Sequence, residues 1–176
     1  MFAKTFRNSL LASSLLIGAS LLVGPAAMAE PSGGEVSGTV APISTVTFTP
    51  TTETAITAGD AVAAYPMGTL AIQNNSNAGW TLDVRSANGG ELRNVVGETT
   101  YKIEYTNLTS APVDGATITP VTFASAITDI ELIDAVYDNA VAAGVSNVAV
   151  TAAIAADQHV PAGTYTDTVT FTLTSK

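Results

Sequence analysis

His159 is the sole histidine of the chain. It sits in Asp157-Gln158-His159 ahead of Pro161-Ala162-Gly163, and with no G-x-S-x-G elbow anywhere, a Ser-His-Asp hydrolase has no nucleophile to activate. We read it as a solvated loop histidine. One imidazole and no cysteine exclude multi-histidine metal centres, Cys-ligated zinc, iron–sulfur clusters and thiol nucleophiles. Asp129, Glu131, Asp134 and Asp138 are dense enough to suggest calcium, but their spacing lacks the D-x-D-x-D-G run with its closing Glu. On a helix they would form the wet face. Fifteen acids offer many pairs for glycoside hydrolysis, yet a sugar cleft usually presents several exposed aromatics. The single Trp80 instead keeps phase with Leu82 and Val84, as a core residue does. Asn88-Gly89-Gly90 reads as a hairpin turn, not a phosphate loop. Asn74-Asn75-Ser76 and Asn107-Leu108-Thr109 fit the short glycosylation pattern, which a bacterial source would void. No catalytic residue, metal ligand set or cofactor emerges, so the expectation is a protein that is not an enzyme.

The elements that would position such residues are strands. Threonine marks them: in Ser44–Thr49 and Thr164–Thr174 it takes alternate places, and in the second stretch Tyr165, Val169, Phe171 and Leu173 share the other parity. That is a half-buried strand with a β-branched polar outer face. Further strands are expected at Thr69–Gln73, Trp80–Ser86, Tyr101–Thr106, Ala116–Phe123 and Asn147–Ile154, the last with Val148, Val150, Ala152 and Ile154 on one face. Turn residues separate them at Asn74–Gly79, Ala87–Gly90, Pro112–Gly115 and Val160–Gly163. Seven or so short strands at this spacing make an all-β sandwich or barrel. One segment dissents: Asp129–Val145 carries Ile130, Ile133, Tyr137, Ala140 and Val141 at helical spacing. It reads equally as a short helix near 129–143 or as a loop plus strand.

Composition narrows the setting. The 176 residues carry a formal charge of −9 with only 12% charged residues, about half the usual ~25%, which fits one folded domain. So few Lys and Arg exclude nucleic acid as a partner. Lys4 and Arg7 precede an apolar run from Leu10 to Val23, and Ala27-Met28-Ala29 offers a signal-peptidase site. That run of about 14 residues is short of the ~20 that span a bilayer. Residues 1–29 are therefore expected to be a cleaved secretory signal, leaving no membrane segment. Cleavage after Ala29 would leave Arg85, Arg93, Lys102 and Lys176 against all fifteen acids, 4 − 15 = −11. An exported chain without cysteine has no oxidative staples, so its core must close by strand pairing or with a partner.

The two ends sharpen that requirement. Residues 30–42 read as an N-terminal extension, with Val36, Gly38 and Val40 on one small alternating face, and Pro42 separates it from the strand at Ser44 because it has no N–H to donate. The domain proper would run over 43–176. Its last strand is its strongest, which raises the question of what pairs with its edge.

Ala162–Thr174, with a Gly-x-Tyr-x-Asp opening at Gly163, Tyr165 and Asp167 followed by alternating apolar residues, resembles the closing strand of chaperone–usher pilus subunits, including the spore-coat-U-like group. Asn77–Leu92 and Tyr101–Tyr105 resemble the middle strands of the same subunits. The likeness covers about two-thirds of the chain after the signal, and the early disulfide of many members has no counterpart here.

It implies an incomplete immunoglobulin-like sandwich whose missing strand comes first from a periplasmic chaperone, with an usher, and then from the neighbouring subunit, a form of β-augmentation. On that reading Val36, Gly38 and Val40 are donor positions, while Tyr165, Val169, Phe171 and Leu173 border the acceptor groove. The chain would be a fimbrial subunit that passes through the periplasm to the cell surface. The alternative is a self-complemented monomeric sandwich, binding a ligand or a surface, in which Val36–Val40 pairs with its own domain.

Overall fold

The computed structural model describes residues 35, 37–52, 54–124 and 127–176; the expected signal at 1–29 and the donor position Val36 lie outside them. Thr39–Lys176 forms one compact unit. Within it the chain runs β1 (Ser44–Pro50), β2 (Val62–Asn74), β3 (Trp80–Ser86), β4 (Glu91–Val96), β5 (Thr99–Ser110), β6 (Ala116–Ile118), β7 (Ile130–Ala135), α1 (Asn139–Ala143), β8 (Val145–Ile154) and β9 (Val169–Ser175). All pairings are antiparallel and form two sheets, β1-β2-β8-β5-β4 and β6-β7-β3-β9. The fold is a β-sandwich, with nine strands among the described residues where the sequence reading counted about seven.

The core follows the period-2 pattern. Leu70 and Ile72 on β2 and Val148, Val150, Ala152 and Ile154 on β8 point in from one sheet, and Trp80, Leu82 and Val84 on β3 from the other, all buried. Burial of a Val- or Leu-sized side chain stabilises by about 1.5–3 kcal/mol, so this inner layer carries most of the folding energy in a chain that has no disulfide. Tyr105 and Phe123 add an edge-to-face pair with centroids 5.9 Å apart.

Two sequence readings change, and the one left open between helix and strand is met by both. In Asp129–Val145, the first half is strand β7 and the helix is the short α1. The helical spacing of Ile130 and Ile133 arises because a register irregularity against β3 turns both Leu132 and Ile133 inward. α1 starts at Asp138, whose Oδ1 accepts the Ala140 N–H (2.7 Å), and ends at Gly144 with φ +103°. The strand expected over Ala116–Phe123 is only Ala116–Ile118, since Pro120 cannot continue a ladder. Beyond it Val121 crosses to the other sheet and exchanges two 2.8 Å backbone bonds with Leu108. Asn88-Gly89-Gly90 is a turn, with φ +68° and +88° at its glycines, but it joins β3 and β4, which lie in different sheets. It is a crossover, not a hairpin.

Candidate functional site

β1 ends one sheet and β9 ends the other, and both lie on the same flank of the sandwich. β1 bonds only to β2, and β9 only to β3; among the described residues no backbone ladder joins β1 to β9. Across the gap between them, Val46 and Phe48 on β1 and Val169, Phe171 and Leu173 on β9 point inward, yet remain half-buried while their strand neighbours Ile72, Leu70, Val84 and Leu82 are fully buried. The Phe48 and Phe171 rings meet with centroids 4.8 Å apart.

The seam is closed at one end. The buried Asn74 side chain donates to Ser44 Oγ (3.1 Å) on β1 and Ser175 Oγ (2.8 Å) on β9. At the other end, past Val169, it widens into a chamber of about 800 Å³ whose floor is the inner face of the five-stranded sheet at Met67, Leu92, Ile103 and Ile154.

The far rim of the chamber is tied shut by main chain. Gly59 N–H donates to Gln158 O (3.3 Å) and Asp157 N–H to Gly59 O (2.9 Å). Gln158 also takes the place of a strand residue beyond the end of β8: its side-chain Oε1 accepts the Glu104 N–H (2.5 Å) while its Nε2 donates to Glu104 O (3.0 Å). His159 lies exposed in the same loop, and a Cβ on Gly59 would run into its ring.

The start of β9 is held by a buried polar clasp. Asp167 Oδ2 accepts from Ser86 Oγ (2.6 Å) and Tyr105 Oη (2.5 Å), and Oδ1 from the backbone N–H of Asn88 (3.0 Å) and of Thr168 (2.7 Å). Ser86 Oγ in turn accepts the Gly90 N–H (2.7 Å). Burial, reinforced by the bond to the Asp167 carboxylate, pushes the Tyr105 hydroxyl above the usual tyrosine range. Just before the clasp, Thr166 exchanges two backbone bonds with Arg93 on the edge of β4, 2.9 and 3.0 Å. The C-terminal segment is thus pinned to one sheet at Thr166 and joins the other at Val169. Beside it on β4, buried Glu91 pairs with Lys102 (2.7 Å) and Arg93 (2.6 Å). The Lys102 hydrogen bond, with help from Arg93 and against burial, holds its carboxyl below the usual range.

Val169, Phe171 and Leu173 therefore line the seam. Tyr165 precedes β9 and donates to Pro161 O (2.8 Å) at the chamber wall. Gly38 is exposed and in no strand; Val40 likewise lies in no strand and is 83% exposed, so this donor position does not occupy the seam. Asp129, Glu131, Asp134 and Asp138 are dispersed: Glu131 and Asp134 are on β7, Asp134 pairs with Lys176, and Asp138 caps α1. No group of three or more metal-ligating side chains forms among the described residues. Sequence reasoning missed Val46, Phe48 and Asn74. The alternation in Ser44–Thr49 marks Val46 and Phe48 as inward, but nothing local says that they face β9. Compared with known proteins, the chain matches no family model, no curated protein and no solved structure.

Proposed function

We propose that the chain is a non-catalytic structural subunit of an exported surface fibre, and that the β1–β9 seam accepts a strand from a neighbouring copy or related subunit. The observation that carries this is the pair of free edges on one flank with five half-buried apolar side chains between them. An unpaired edge is a ready template for another chain, and apolar residues held only partly buried gain from a strand laid over them. The exposed Thr39–Ile43 stretch supports donation outward rather than self-closure: Asn75 holds Ala41 O (2.9 Å) and the Ile43 N–H (2.7 Å) and O (3.1 Å) at the closed end of the domain, away from the chamber. The extension at 30–42, with Val36, Gly38 and Val40, is the donor in this reading. Export through the periplasm, with a chaperone and usher delivering the subunit to the cell surface, completes it.

The test removes residues 30–41 and adds them back as a peptide. The shortened chain is expected to lose self-assembly while its isolated domain keeps its unfolding midpoint, and the added peptide to raise that midpoint. Two buried Val side chains supply a gross gain of roughly 3–6 kcal/mol. Phe171→Asp in the seam abolishes the effect. A full chain that stays a stable, cooperative monomer and ignores the peptide overturns the reading.

A further inference from the structure

The chamber beyond Val169 has properties that strand insertion does not require. It lies past the end of the β9 ladder, its rim is tied by the Gly59–Gln158 and Asp157–Gly59 main-chain bonds, and its volume of about 800 Å³ falls within the 300–1,000 Å³ of small-molecule sites. Its floor is apolar and largely buried: Leu92, Ile103 and Ile154, with Met67, whose thioether adapts to irregular shapes. That wall offers a water few of the two to four polar partners that an ordered water takes. Thr57 and Asp60 also line the chamber and bring polar groups to it.

Charge narrows the occupant further. Asp60 and Asp167 are the carboxylates of the lining, and the oxygens of Asp167 are taken up by the four clasp hydrogen bonds. Exposed Glu104 and Asp157 flank the tied rim. In a chain of net charge −9 this field repels anions. We infer that the chamber is a binding site for an apolar small molecule, uncharged or cationic, seated on Met67, Leu92, Ile103 and Ile154 with its polar end toward Asp60. The chamber shares Phe48 and Val169 with the seam, but the proposed seat on Met67, Leu92, Ile103 and Ile154 lies on β2, β4, β5 and β8 and involves neither free edge strand of the seam.

The full chain is titrated with the neutral fluorescent probe N-phenyl-1-naphthylamine and, separately, with the anionic anilinonaphthalene sulfonate. The neutral probe is expected to bind saturably at one per chain with a several-fold rise in emission and to raise the unfolding midpoint, with at least ten-fold weaker binding of the anion. Two variants fill the space from opposite sides, Ala162→Trp from the rim and Met67→Trp from the floor, each checked for folding by circular dichroism. Loss of neutral-probe binding in either folded variant supports the site. Absence of saturable binding to the folded chain, equal affinity for the anion, or binding that survives in both folded variants overturns it. That last result would place the probe elsewhere, for instance on the apolar run Leu10–Val23.

Discussion

Replacing Asp167 with alanine tests whether the polar clasp holds the last strand in place. Ser86 and Tyr105 are respectively 0% and 2% exposed, and both give their hydroxyl hydrogens to Asp167 Oδ2. Removing the carboxylate leaves two buried donors without their acceptor, at about 1–3 kcal/mol each. The backbone N–H groups of Asn88 and Thr168 lose a partner too, but water reaches them more easily, so we assign them little. The expected loss is about 3–5 kcal/mol, a large share of the 5–15 kcal/mol of a typical domain. For a unit of this size that lowers the unfolding midpoint by roughly 10–20 °C. Tyr105→Phe removes one donor and leaves the carboxylate its other partners, for a loss of about 1–2 kcal/mol. In the double variant the phenyl ring has no orphaned hydroxyl, so the combined loss is smaller than the sum, with a coupling of 0.5–3 kcal/mol expected for residues in one network. Calorimetry or urea unfolding of the four proteins reads all these values. An Asp167→Ala protein within about 0.5 kcal/mol of the parent, or strict additivity with Tyr105→Phe, refutes the clasp.

The two perturbed groups give opposite pH dependences. The Glu91 carboxyl is held below its ordinary value, so its contribution is complete above the unfolded carboxylate range and is lost as pH falls through the lowered value; urea midpoints should drop from pH 5 towards pH 3, less steeply in Glu91→Gln. The Tyr105 hydroxyl is raised, so its contribution holds below about pH 10 and fades as pH climbs beyond it. Alkaline unfolding should therefore begin later in Tyr105→Phe, relative to its own neutral-pH stability. At Gly79, φ is +95° and a Cβ would collide with the Ala135 carbonyl. Gly79→Ala should cost about 2–4 kcal/mol, strain plus overlap, and a midpoint unchanged in urea would mean that β3 and β7 sit further apart than described.

Much of the sandwich was legible because long stretches of its inner faces obey period 2. Trp80–Ser86 and Val148–Ile154 needed only alternation to be placed, and both are buried as that pattern requires. Where alternation fails, the pattern leaves alternatives open or marks no element. β7 turns two consecutive residues inward at an irregularity, which imitates the i, i+3 spacing of a helix. β4 begins at a buried carboxylate, Glu91, and ends on two exposed valines, Val95 and Val96. Its hydrophobic pattern is the inverse of what an outward polar, inward apolar strand displays, and it is placed instead by its pairing with β5 and by the ion pairs of Glu91.

The seam was the hardest feature to see, for a reason of topology rather than of residue type. A strand's own pattern tells which side chains face the core, but whether its edge is paired depends on partners that are distant in sequence. Val46 and Phe48 alternate like any buried strand, and Val169, Phe171 and Leu173 do the same some 120 positions later. What distinguishes them is that each strand closes a different sheet, and that Asn74 ties both at a single end. A third strand between them would satisfy both edges at once and cover the half-buried row. The ring contact between Phe48 and Phe171 bridges the gap, and on the strand-exchange reading proposed above an incoming strand parts those rings before it pairs. The Asn74 bridge fixes where such an opening stops, so the seam is expected to yield from the chamber end.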